Sequence, residues 1–281
     1  MQAVSSLSPA DPAETKAETT QGETRVSETV SLAEKLKSGS PVVTGWSMLA
    51  VPILAELMGR GGYEAVTVDF QHGAHDIASA REALAAMVLA GTYRLARIPV
   101  GDNATASRLL DLGAQAVIAP MINSVEEAKA FAAATKYPPL GERSWGPHRA
   151  AMLDGLPLEA YLEKANRETV SLAMIETPQA VAALDAILAV PGIDGVFVGP
   201  SDLSLTLSAG ADMDRDGEKT TQAIRTIADH ARAAGKIAGI FCMSPEKVME
   251  ARDAGYTLMA YGADMGLFHA AASTARKACT V

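Results

Sequence analysis

Cysteine is scarce in this chain: Cys242 and Cys279 are the two among 281 residues. Two thiols cannot build a disulfide scaffold, and this pair has no metal-ligand spacing, so a reducing, cytoplasmic setting is expected. Aromatic residues make up only 5%, which leaves a core of Ala, Val, Ile, Leu and Met. No apolar stretch approaches the roughly 20 residues needed to cross a bilayer, so no membrane partner is expected. Runs of Lys and Arg are also missing, and 33 acidic against 24 basic residues leave a formal charge of -9. Nucleic acid is thereby excluded as the main partner, because phosphate binding needs a basic patch. What the chain does have is 48% hydrophobic and 20% charged residues, ample for a buried core. Its length fits one (β/α) barrel of about 250 residues as well as it fits two average domains.

Residues 1–28 differ from the rest. They are rich in Ser, Thr, Ala and Glu, carry Asp11, Glu14, Glu18, Glu23 and Glu28, and contain no apolar run. A secretory signal needs an apolar block, and a transit peptide is Arg-rich and poor in acids; neither pattern is present. The segment reads as a disordered polar tail preceding a single domain at 29–281.

From Val30 onward, short apolar runs alternate with longer segments of helical period. The strand candidates are Val42–Trp46, Ala65–Phe70, Tyr93–Pro99, Ala116–Met121, Ser171–Glu176, Gly195–Pro200, Ile237–Phe241 and Thr257–Gly262. Helix candidates lie near 50–60, 76–90, 103–112, 124–135, 178–189, 218–234 and 245–254, with a last one after Asp264. Eight strands, each followed by a helix, is the count of a closed parallel (β/α)8 TIM barrel. The long connection between the fourth and fifth strands predicts an insertion holding a Tyr-Pro-Pro-Leu-Gly loop and a short helix near 157–166. An open doubly wound sheet would want a glycine-rich phosphate turn after the first strand, and Gly45-Trp46-Ser47-Met48 is not one.

Barrel chemistry gathers at the carboxyl ends of the strands. Those ends here carry Asp69, His72, Arg97, Glu176 and Asp202, and charged side chains there are costly unless paired or metal-bound. Glu176 and Asp202 close adjacent strands, so both can address one spot. Two carboxylates suit a hard divalent cation such as Mg²⁺ or Mn²⁺; the other reading pairs each with an arginine, Arg97 or Arg143. A neutral imidazole such as that of His72 is suited to proton transfer, although a lone histidine is more often a hydrogen-bonded structural residue. Arg97 interrupts an apolar strand and is either half of a buried ion pair or a partner for an anionic substrate or oxyanion. Imine chemistry needs a lysine inside the barrel near a strand end. Of the ten lysines only Lys236 touches a strand candidate, at the amino end. Cys242 reads as a small core residue.

Several blocks are similar to the metal-dependent pyruvate aldolases of the HpcH/HpaI type. They are Val68-Asp69-Phe70-Gln71-His72-Gly73, Arg97-Ile98-Pro99-Val100, Leu110-Asp111-Leu112-Gly113-Ala114 and Ala119-Pro120-Met121-Ile122-Asn123-Ser124, followed by Tyr137 to Ser144, Ile175-Glu176-Thr177 and Gly195 to Leu203. The likeness covers roughly 30–275 in the same order. It implies a barrel of the phosphoenolpyruvate/pyruvate-binding type and a homohexamer (a trimer of dimers) whose last helix packs on a neighbour. It further implies that Glu176 and Asp202 bind a divalent ion (Mg²⁺, Mn²⁺ or Co²⁺), that His72 is the base, that Asp111 raises its basicity, and that Arg97 stabilises the enolate. Met174, Gly199, Pro200 and Ser201 fall at substrate-binding positions. Gln71 stands where many members have Glu, and Met174 where many have Gln, which resembles a subgroup acting on varied hydroxy-oxo acids. The implied reaction cleaves or forms 4-hydroxy-2-oxo acids, giving a pyruvate or hydroxypyruvate enolate plus an aldehyde. The alternatives are a citrate-lyase-like or malyl-CoA-type lyase, against which the acidic balance and short loops argue, and a non-catalytic barrel.

Overall fold

The computed structural model describes residues 30–279, so the polar segment at 1–28 lies outside the described residues. Eight parallel strands close a barrel in sequential order, each hydrogen-bonded to the next and the last to the first. They are β1 (Val42–Ser47), β2 (Ala65–Asp69), β3 (Tyr93–Arg97), β4 (Ala116–Ala119), β5 (Val170–Met174), β6 (Gly195–Val198), β7 (Ile237–Phe241) and β8 (Leu258–Ala263). Around them run α2 (Pro52–Arg60), α3 (Ile77–Leu89), α4 (Asn103–Asp111), α5 (Val125–Thr135), α8 (Pro178–Ala182), α9 (Leu184–Leu188), α10 (Pro200–Leu207), α11 (Glu218–Ala233), α12 (Pro245–Asp253) and α13 (Asp264–Ala278). The insertion after α5 holds α6 (His148–Leu153) as well as α7 (Leu158–Glu168), and α1 (Leu32–Lys37) precedes the barrel.

Side-chain alternation along the strands divides the apolar residues into two cores. Val66, Val68, Ala96, Val117, Ala173, Val196 and Ile240 face outward and pack against the helices. Leu95, Ile118, Leu172, Met174, Phe197 and Leu258 fill the barrel interior with Trp46. Leu32, Ala33 and Leu36 of α1 join that inner core, so this short helix closes the amino end of the barrel. Its start is fixed by a capping box: the Glu34 N–H donates to Ser31 Oγ and the Ser31 N–H to Glu34 Oε2.

Five of the strands, β2 to β6, stop earlier at the mouth than the apolar runs predict. β3 ends at Arg97 and not Pro99, β4 at Ala119 and not Met121, and β6 at Val198 and not Pro200. Prolines at 99, 120 and 200 lack the N–H that a ladder requires, and Met121 turns to a φ of 56°. The stretch 178–189 forms two helices that meet at Ala183, and α10 is a helix that the periodicity does not reveal.

Candidate active site

Asp69, at the end of β2, is fully buried and organises one side of the mouth. Arg97 from the adjacent strand reaches it with two bonds, Nε to Oδ1 at 2.9 Å and Nη2 to Oδ2 at 2.6 Å. Trp46 Nε1 donates to Oδ2 at 3.1 Å, and the N–H groups of Gln71 and His72 donate to Oδ1 at 3.0 and 3.4 Å. Burial alone would raise the Asp69 pKa, but the Arg97 guanidinium, Trp46 and Gln71 outweigh it and hold the carboxyl below its ordinary value. Arg97 also lies over the Trp46 ring, 5.0 Å from its centroid. The ion-pair reading of Arg97 is realised: it is half of a buried pair at the rim of the mouth.

Glu176 follows β5 and is 2% exposed. The Met121 N–H donates to its Oε2 at 3.0 Å, which the left-handed turn at Met121 makes possible. A Cβ on Gly199 would come within 2.2 Å of Glu176 Oε1, so only glycine lets β6 and the carboxylate approach this closely. Asp202 sits in the first turn of α10, two residues beyond the proline at N1, where the helix dipole favours an anion. Burial pushes the Glu176 carboxyl up to about 7, and the nearby Asp202 charge adds to that rise against the opposing Met121 N–H and Arg97. Among the described residues neither acid forms a salt bridge: Arg97 is held by Asp69, and Arg143 by Asp111. The arginine-pair reading of Glu176 and Asp202 is thus not realised.

His72 lies on the exposed turn after β2, within the same rim, with its N–H on Asp69. His75, three residues on, is buried instead: its ring nitrogens contact Ser47 Oγ at 3.1 Å and Ser79 Oγ at 3.2 Å. Burial lowers its pKa, against the charges of Asp264, Asp69 and Asp76. Asp264 accepts N–H bonds from Met48, Leu49 and Met265, so it ties down the β1 loop. Met174 is buried inside the barrel, its methyl beside the Gly199 backbone. Ser201, ahead of Asp202, accepts a hydrogen bond from Arg215 Nε at 2.7 Å. Cys242 is buried, and burial pushes its thiol up to about 12, which agrees with a core role.

Asp111 lies away from the mouth. As the last residue of α4, which descends from the carboxyl end of β3 to the start of β4, it lies at the amino end of the barrel. There it accepts from Arg143 Nη2 at 2.6 Å, and Arg143 stacks on Tyr137, 4.5 Å from the ring centroid. His72 is at the opposite end, across a strand of five residues, roughly 15 Å. Within one chain the two cannot touch. Lys136 was also invisible to strand placement: it is fully buried at this amino end, where its Nζ donates to Thr169 O, Asn166 O and Asp194 Oδ2. Trp46 and the Met121 N–H are the other site features missed, because a ring N–H in an apolar strand and a backbone donor leave no mark in side-chain chemistry.

A family model described as HpcH/HpaI aldolase/citrate lyase matches residues 43–271. The chain is 39% identical over 234 residues to a hydroxypyruvate/pyruvate aldolase of Rhizorhabdus wittichii, covering 83% of this chain and 92% of that protein. It is 36% identical to a 4-hydroxy-2-oxovalerate aldolase of Novosphingobium aromaticivorans, covering 83% and 88%. The crystal structure of an HpcH/HpaI aldolase from Desulfitobacterium hafniense superposes with a TM-score of 0.81 at 27% identity, covering 89% of this chain and 96% of that one. With this barrel, these acids and these relatives, the chain belongs to the HpcH/HpaI aldolase/citrate lyase family.

Proposed function

We propose that this chain performs its family's aldol chemistry with a divalent ion held by Glu176 and Asp202. The protein is an aldolase, a carbon–carbon lyase of 4-hydroxy-2-oxo acids that yields a pyruvate or hydroxypyruvate enolate and an aldehyde. The observation that carries the metal reading is the pairing of two carboxylates, one of them 2% exposed, with no cationic side chain on either. A buried Glu that resists ionising beside a second acid is a site short of positive charge. Its donors are hard oxygens, which fit Mg²⁺, Mn²⁺ or Co²⁺. When bound, such an ion supplies Lewis-acid polarisation of the keto oxygen.

The remaining work falls to the chain's own side chains. Arg97, locked by Asp69 and Trp46, presents its free N–H groups toward the developing enolate oxygen and costs no reorganisation when charge appears there. His72 takes the proton of the substrate's 4-hydroxyl in cleavage, and a methyl proton of pyruvate in the reverse direction. The first turn of α10 offers the Ser201 N–H to the substrate carboxylate, with Gly199 and Pro200 shaping the approach and Met174 walling the pyruvate side.

Asp111 joins this scheme only across a subunit boundary. Its side chain is 30% exposed at the amino end, beside the exposed Trp145. Helix α13 likewise leaves Met265, Leu267 and Phe268 uncovered. Both faces fit a homo-oligomer in which the partner's amino end approaches the mouth and α13 packs on a neighbour, the hexamer being the expected form. The test of the whole reading is exchange of pyruvate methyl protons into heavy water. Exchange with Mg²⁺, Mn²⁺ or Co²⁺ that EDTA abolishes supports it; exchange indifferent to EDTA, or none with any of the three, overturns it.

A further inference from the structure

His72 stands on a stretch without regular structure, from Phe70 to Asp76, between the end of β2 and the start of α3. Such a turn holds a side chain only as firmly as its two ends are held. The upstream end is fixed at Asp69. The downstream end is fixed at His75, which is buried although Ala74 and Asp76 on either side are exposed. Its ring stacks on Phe70, with centroids 6.5 Å and planes 21° apart, and Nδ1 lies 3.2 Å from Ser79 Oγ in the first turn of α3. Nε2 lies 3.1 Å from Oγ of Ser47, the fully buried last residue of β1. The Ser47 hydroxyl donates in turn to Asp264 Oδ2 at 3.3 Å. A serine has one proton and a carboxylate only accepts, so His75 is the donor to Ser47, through Nε2–H. Asp264 also takes the N–H groups of Met48 and Leu49, and Met48 O accepts from the Ala74 N–H at 2.7 Å. A Cβ on Gly73 would come within 2.3 Å of Asp69 O and 3.0 Å of Met48 O, so the turn is pressed against the end of β1.

We propose that His75, acting through Ser47, is a positioning residue for the proton-transfer step: it pins the turn that carries His72 to the end of β1. The inference rests on the aldolase reading above and adds to it a second histidine, placed beneath the rim. The end of β1 is a firm reference, because Asp264, 4% exposed, anchors it from the start of α13. Buried polar groups are costly unless bonded, and a bonded chain of them favours one arrangement over its neighbours. Proton transfer is sensitive to that arrangement, since a shift of about 1 Å in a reacting group costs about a hundredfold in rate. The other tasks of the site do not pass through this chain. Glu176 and Asp202 follow β5 and β6, on the opposite side of the barrel from β1 and β2, and Arg97 is held by Asp69. Loss of the His75 contact therefore misplaces the base and spares binding of the ion and the keto acid.

The experiment measures pyruvate methyl exchange on the Mn²⁺-loaded full-length protein, with rates taken per Mn²⁺-binding site so that unfolded chains do not count. In H75A and S47A the kcat of exchange should fall about tenfold to hundredfold, while the pyruvate KM and the Mn²⁺ affinity from direct titration stay within about twofold. Gln places an amide N–H where Nε2–H stands, so H75Q should recover most of the loss. Asn reaches only the Nδ1 position, so H75N should not. A merely structural role gives a different pattern: kcat, KM and Mn²⁺ affinity worsen together, or exchange per site does not change. Either result overturns the assignment, as does an H75Q variant no faster than H75N. The variant H72A separates the levels. Exchange lost in H72A but kept in H75A removes this inference alone; exchange kept in H72A removes the base that His75 would position, and no exchange in the unaltered protein removes the aldolase reading with it.

Discussion

Glu176 is where the local physics is most exposed to test. Its carboxyl titrates near 7 when folded, against 4.5 when free, because burial and then Asp202 disfavour the anion. A raised acid pKa means that the folded state binds more protons than the unfolded one between those values. The metal-free protein should therefore lose stability as pH rises from about 4.5 to 7, and Mn²⁺ should restore it at pH 8. Thermal unfolding with and without EDTA measures this, and a flat profile for E176Q would assign the effect. E176Q and D202N should each lower metal-dependent exchange at least a thousandfold, about 4 kcal/mol of barrier. Gly199→Ala would press a methyl into Glu176 Oε1 and should weaken metal affinity while both ligands remain, as a Mn²⁺ titration would show. Arg97→Ala mixes two effects, since it strands the fully buried Asp69 and should cost about 3–5 kcal/mol in stability. Arg97→Lys keeps a charge but loses the two-bond fork, so turnover should fall about a hundredfold with a smaller change in urea midpoint. Of these residues, Glu176, Asp202, Arg97 and His72 were legible because charge inside an apolar pattern is conspicuous. Trp46 and Met121 were not, because their contributions are a ring N–H and a backbone N–H.

The elements show the same division. Strand cores were readable from runs such as Ala116-Val117-Ile118-Ala119, which pack on both faces. Their ends were not, since a strand stops where its neighbour stops pairing or a proline removes a donor. Helix α10 escaped notice because it is short and begins with Gly199-Pro200, although it carries Asp202 and Ser201. Helix α1 has a role out of proportion to its six residues: Leu32 and Leu36, each at most 2% exposed, seal the interior from below. Leu36→Ala should destabilise the protein by about 2–5 kcal/mol, through lost burial and the void left in the barrel. Urea unfolding would record this as a lower midpoint at unchanged slope, and a change below about 1 kcal/mol would mean that the amino end is closed by other groups.

For the whole molecule, the decisive question is where Asp111 acts. The barrel sets it at one end and His72 at the other, so any effect on the base must come from a second copy. Mixtures of the inactive variants H72A and D111A, dissociated and reassembled together, should regain exchange activity, because some mixed sites then hold both native residues. No recovery, with assemblies of unchanged mass by light scattering, would confine Asp111 to its bond with Arg143. Removal of residues 265–281, which spares Asp264, should lower the oligomeric mass, since beyond Asp264 helix α13 offers its apolar residues outward.

Order along the chain is what the sequence by itself determined: eight apolar runs with helical segments between them admit a closed parallel barrel, and the charged residues at the run ends mark its working rim. Local patterning suffices there, because side-chain period and burial are properties of neighbours in sequence. Partnership was decided only by the tertiary structure. Arg97 bonds Asp69 and leaves the acids at 176 and 202 without a cationic partner, Arg143 takes Asp111 at the far end, and Arg215 bonds the Ser201 hydroxyl. Which opposite charges meet depends on distances across the closed cylinder, and those are fixed by strand register and helix direction, not by position in the chain.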